Sequence, residues 1–152
     1  MRRQDKYPNT DIFHYLNVNP KNRFTTDCVI RAIATALVAK TGGSLENDKI
    51  CKDMWRVVLD DMAEIACDTG YFPTNKKCYE KYLKQHGFLK YGQPKHLDNT
   101  KLTLKEFMDG HKSGTYVVHL PHHLTVVVDG VNYDIYDCTK FDSRVGIFWG
   151  AN

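Results

Sequence analysis

Hydrophobic and polar positions change rhythm along this chain, from helical spacing in its first two thirds to strand-like runs in the last third. Val29, Ile30, Ile33, Ala36 and Leu37 recur on one face, which predicts a helix over 27–41. Thr25, Thr26 and Asp27 are N-cap candidates before it, and Gly42-Gly43 supplies the stop. A second helix is expected over 46–69, capped by Ser44 and ended by Gly70. Its core stripe is Ile50, Met54, Val58, Met62 and Ala66. A third is expected over 75–86, opened by Pro73-Thr74-Asn75 and closed by Gly87. Residues 88–102 show no period and read as a long loop with at most one strand. Thr103 and Glu106 have capping-box spacing for a short helix ending at Gly110 or His111.

From Thr115 the expected strands are 115–120, 124–129, 131–136 and 145–149, with Asp129-Gly130 as a tight hairpin turn. Residues 12–18 read as a short edge strand ended by Asn19-Pro20, and 1–11 as a flexible polar arm. Helices followed by strands predict an α+β domain, with N-terminal helices packed on a C-terminal antiparallel sheet. At 152 residues the chain is expected to form a single domain with a substantial core.

Composition narrows the function classes. A formal net charge of +3, with basic residues scattered, gives little reason to expect a nucleic-acid partner. No apolar run reaches the roughly 20 residues of a membrane span, and the two N-terminal arginines precede no apolar segment of a secretory signal. Five cysteines, an odd number without CxxC pairs, suggest reduced thiols in a cytoplasm. Their separation suggests no zinc site, so neither metal nor cofactor is expected.

Candidate chemistry lies at the two ends of the pattern. Cys28 would sit in the first turn of its helix, among unpaired N–H groups that favour a thiolate. Two histidines precede the strand LTVVV, and the next strand leads to Asp137. A nucleophile at a helix start with a base and an acid on a distant hairpin is a Cys–His–acid arrangement. His123 is preferred as base and His122 is its alternative. An ideal Asp129-Gly130 turn pairs 122 with 137 and 125 with 134, so His123 shares a face with Asp134. A bulge or a three-residue loop would bring it opposite Asp137 instead. The acid is therefore Asp137 or Asp134. Asn22 is a candidate oxyanion donor besides the Cys28 N–H. Arg31 would contact the thiolate or a substrate carboxylate, or pair with Asp27 or a distant acid. Asp27 would raise the thiol pKa unless turned away from it.

These residues resemble the papain-like cysteine peptidase superfamily, most closely its small bacterial branch of bacteriocin-processing (C39-type) peptidases. Asn22-x-x-x-x-Asp27-Cys28 is similar to that branch's Gln-x-x-x-x-Asp-Cys-Gly, whose Gln serves the oxyanion hole. Ala32 to Leu37 looks like the small-residue helix that follows, and His123-Leu-Thr-Val-Val-Val with Tyr136-Asp137 looks like the histidine strand and its acid. Asn22 stands where the branch has Gln and is one methylene shorter, and Val29 stands where it has Gly. DCVIRAIATAL and HLTVVVDGVNYDIYDC also resemble small bacterial and phage proteins of unknown function. The resemblance implies a papain-like fold and a cysteine hydrolase acting on a peptide, isopeptide or amide bond, with Cys28, His123 and Asp137 as triad. The alternative it leaves is a catalytically inactive papain-like binding protein, such as a phage factor that inhibits a host protein. A peptide or protein substrate is the expected partner, and the sequence leaves the oligomeric state open.

Overall fold

A computed structural model describes residues 2–151, with five helices and one six-stranded mixed sheet among them. The helices are α1 (Arg3–Lys6), α2 (Cys28–Lys40), α3 (Asp48–Thr69), α4 (Lys76–Gln85) and α5 (Leu104–Asp109). The strands are β1 (Phe13–Tyr15), β2 (Phe88–Tyr91), β3 (Thr115–Leu120), β4 (His123–Val128), β5 (Val131–Asp134) and β6 (Phe148–Ala151). They lie in the order β1-β5-β4-β3-β6-β2. The α+β class holds, but the sheet is not wholly antiparallel: β1 runs parallel to β5 at one edge. Hairpin turns force β3, β4 and β5 to alternate in direction, whereas most of the chain separates β1 from β5 and leaves its direction free.

Helix α2 is buried over its whole circumference from Val29 to Val38. It is enclosed by α3 and by one face of the sheet, sharing a core with Val58, Met62, Val117, Leu124, Val126 and Trp149. The opposite face carries a second core, in which Leu104, Phe107 and Met108 of α5 meet Val118, Leu120 and Val127. Successive residues of β4 feed these two cores in turn, as a pleated strand requires. No helix among the described residues is long and apolar enough to cross a membrane.

Two local expectations change and a third is met. Helix α3 starts later than a Ser44 cap implies, because the Asn47 side chain accepts from the Ile50 N–H at 3.1 Å. The expected arm contains α1, whose Arg3 Nε donates to the Ile135 carbonyl at 2.9 Å and ties it to the end of β5. The one strand expected within the long loop is the edge strand β2, paired with β6.

Candidate active site

Two turns set the geometry of the site. Asp129 and Gly130 both have positive φ, 48° and 78°, and close a two-residue turn with Val128 opposite Val131. That register brings Asp134 level with Thr125 and onto the face shared by His123. The β3–β4 hairpin closes over Pro121-His122, with Leu120 opposite His123. His122 occupies the left-handed position of that turn (φ 54°) and is exposed, so its alternative role as base is taken over by the turn.

His123 Nε2 lies 2.7 Å from Asp134 Oδ2. Its ring packs 5.0 Å from Tyr136 and lines the same cleft as Cys28, whose thiol it draws toward ionisation. The same Asp134 oxygen accepts from Thr125 Oγ1 at 2.7 Å. The other accepts from Arg31 Nη1 at 2.9 Å and from the Ile135 N–H at 2.7 Å. Asp137 makes no such contact. It is buried at the start of a short 3-10 turn, Cys138–Lys140, where its carboxylate accepts from the Thr139 backbone and hydroxyl. The carboxylate beside His123 is thus that of Asp134 and not Asp137, because the unbulged hairpin ends β5 three residues before 137.

Asn22 is also displaced from its expected place. It closes a turn on the Asn19 carbonyl, has φ 53°, and its side-chain oxygen accepts from Lys52 Nζ at 2.9 Å. It lines a neighbouring cavity that meets the cleft above Cys28 at Arg3, and does not line that cleft itself. Of the two expected oxyanion donors, the Cys28 N–H remains. Asp27 is the N-cap residue, but its carboxylate does not cap the helix. It is drawn inward by Arg31 Nε (2.8 Å), Trp55 Nε1 (2.9 Å) and Asn19 Nδ2 (3.0 Å). The first-turn N–H groups of α2 therefore carry no side-chain cap and stay free to meet a developing negative charge. Arg31 joins both expected acids, bridging Asp27 and Asp134 in the interior.

This wiring decides the protonation states. Burial alone would push the Cys28 thiol up. Polar interaction with His123 and the Leu124 backbone, with the positive charges of His123 and Arg31, outweighs it and brings the thiol below its ordinary value. Burial likewise opposes charge on His123, yet bonding to Asp134, Cys138 and Cys28 raises it to about 11. Asp134, which burial alone would push up, is held down at about 2 by His123 and Arg31. Both shifts run toward a thiolate and an imidazolium.

Cys138 also belongs to the site, and its place there has no sign in the sequence. Its sulfur lies 3.5 Å from Asp134 Oδ2, and burial with that carboxylate raises its pKa to about 11. The donor atoms of His123, Asp134 and Cys138 all lie within 4.8 Å of one another. They do not form a ready metal site, since His123 and Asp134 approach to 2.7 Å. Two ligands on a tetrahedral zinc stand roughly 3.3 Å apart. Cys28, Cys51, Cys67, Cys78 and Cys138 are all free thiols.

The cleft above Cys28 encloses about 540 Å³. Arg3, Tyr79, His119 and Tyr136 line it, and none of them announces that role in sequence, since each belongs to a different part of the chain. No family model, curated protein or solved structure matches the chain.

Proposed function

We propose that the protein is a papain-like cysteine hydrolase that cleaves a peptide, isopeptide or amide bond. The reading rests on one observation: a sulfur at a helix start without a side-chain cap shares its cleft with an imidazole that a buried carboxylate holds at 2.7 Å. The Cys28 thiolate attacks the carbonyl carbon, and the displaced electron pair becomes an oxyanion facing the first-turn N–H groups of α2. His123 gives its proton to the leaving nitrogen, the amine departs, and a thioester remains. His123, now neutral, takes a proton from water as the hydroxyl attacks the thioester. The thiolate leaves, a carboxylic acid is released, and the ion pair is restored. Asp134 keeps Nε2 protonated throughout and stabilises the imidazolium.

Alkylation by iodoacetamide tests this reading. At pH 6 Cys28 should react at least about tenfold faster than an ordinary free thiol, which is scarcely ionised there with a pKa near ~8.5. A rate no faster than that removes the hydrolase. Transfer of the acyl group to an amine instead of water would use the same residues. Mass spectrometry of products with and without added amine separates the two.

A second reading, a papain-like protein kept for binding, draws on the position of Asn22. Its amide oxygen accepts from Lys52, so of the two expected oxyanion donors only the Cys28 N–H remains. That reading requires full biological effect from Cys28→Ala, whereas the hydrolase requires its loss.

A further inference from the structure

The cleft over Cys28 is basic and has no carboxylate of its own. Arg3, Arg31, His119, His122 and His123 line it, and none of its lining residues is acidic among the described residues. The two nearby acids, Asp27 and Asp134, are buried and already bound to Arg31. The Arg31 charge is therefore neutralised within the protein. Arg3 differs. Its Nε donates to the Ile135 carbonyl at 2.9 Å, and its guanidinium carbon stands 5.1 Å from the centre of the Phe24 ring, so the group is held at two points. Among the described residues no carboxylate lies within ion-pairing distance of it, and its remaining N–H groups have no partner. A guanidinium fixed in orientation, with its outer N–H groups unpaired, matches the two oxygens of a carboxylate. Neighbouring His119 and His122 add no competing anion.

We infer that the substrate of this site carries a carboxylate and that Arg3 is the residue that binds it. Cys28 then acts on an amide or peptide bond close to an acidic side chain or a free C-terminus. This inference rests on the hydrolase reading, and Arg3 is a specificity residue, outside the bond-breaking steps.

The test compares iodoacetate with iodoacetamide, two alkylating agents of similar size of which only the first is anionic. The ratio of their rates at Cys28, at one pH and low salt, isolates attraction for a carboxylate from reactivity of the sulfur. In the unmodified protein the ratio should favour iodoacetate. Arg3→Gln should lower it about fivefold, and Arg3→Lys should recover part of the loss, as expected for a charge-assisted contact. Arg2→Gln removes a neighbouring charge that pairs with Asp5 outside the cleft, and should leave the ratio where it was. An equal ratio in the protein and in Arg3→Gln overturns the carboxylate proposal while leaving the hydrolase standing. A Cys28 unreactive toward both agents takes down the hydrolase and the proposal with it.

Protection of Cys28 from iodoacetamide by short peptides separates the two sources of carboxylate. One peptide carries an internal Asp and an amidated end, and the other is neutral along its length with a free C-terminus. Arg3-dependent protection by either supports the proposal, and protection by neither overturns it.

Discussion

His123 Nε2 meets Asp134 Oδ2 at 2.7 Å on a carboxylate that also accepts from a hydroxyl, a guanidinium and a backbone N–H. Such an acid has little freedom to rotate, and the imidazole it holds is fixed in orientation. Its charge is maintained in the interior because positive partners stand on both oxygens. The orienting member of the site is therefore part of the packing between α2, β4 and β5.

This geometry separates two aspartates three residues apart. Asp134→Asn should leave the fold's hydrogen-bond acceptor in place but reverse or weaken the pairing at Nε2. Hydrolytic rate should fall by roughly 10²–10⁴, as when an orienting acid is lost from comparable triads. Asp137→Asn, at the 3-10 turn, should alter stability and leave the rate within about threefold, since the side chain touches none of the reacting groups. The reactivity of Cys28 toward iodoacetamide at pH 6 reads both. Equal losses in the two variants would remove Asp134 from its orienting role.

How much of this is legible in the chain differs from element to element. Helix α2 and the Asp129-Gly130 turn are legible because apolar spacing and positive-φ residues act locally. Helix α3 is legible too, but a stripe counted in fours misplaces its buried face: Ile50 is exposed whereas Cys51 and Ile65 are buried. Residues four apart advance about 40° beyond a full turn, so such a stripe leaves the core after a few steps. The choice between Asp134 and Asp137 hangs on whether the hairpin carries a bulge, which no local signal specifies. The inward turn of the Asp27 side chain depends on Trp55 and Asn19, which come from other segments. Arg3 looks like part of a loose arm in sequence because its anchor, the Ile135 carbonyl, lies at the other end of the chain.

The charged core predicts a stability profile with two flanks. Asp134 has its folded pKa lowered to about 2, below the roughly 3.9 of an unfolded aspartate. Its contribution is present above pH ~4 and is lost as the pH falls toward 2. His123 is shifted the other way, raised to about 11 from roughly 6.5. Its contribution is complete below pH ~6.5 and is lost as the pH rises toward 11. Urea unfolding across this range should show both flanks. His123→Ala should flatten the alkaline one, and an unchanged alkaline slope would mean the imidazole is not charged in the native protein.

Arg31 holds two buried carboxylates at 2.8 and 2.9 Å, so its removal leaves Asp27 without a cation and Asp134 with His123 alone. Arg31→Met, similar in length and apolar, should destabilise by about 3–5 kcal/mol, the cost of stranding a buried charge. Trp55→Phe removes one donor to Asp27 and should cost about 1–3 kcal/mol. Chemical denaturation gives both values, and an Arg31→Met protein as stable as the original would show that the bridge does not hold the core.

The five thiols should separate under alkylation by environment. Cys28 is half-buried in an open cleft, with a lowered pKa, and should be labelled first at pH 6. Cys67 is exposed on α3 and has no steric protection. Cys51 and Cys78 are buried with pKa values raised by burial, so they present neither access nor charge. Cys138 is the informative member. It lies beside His123 and Asp134, yet burial and the adjacent carboxylate raise it to about 11, which keeps it a thiol. It should stay unlabelled in the native protein and react only on unfolding. Peptide mapping by mass spectrometry after timed alkylation shows the order. Native labelling of Cys138 at the pace of Cys28 would mean that the pocket behind His123 is open and that the nucleophile has been assigned to the wrong sulfur.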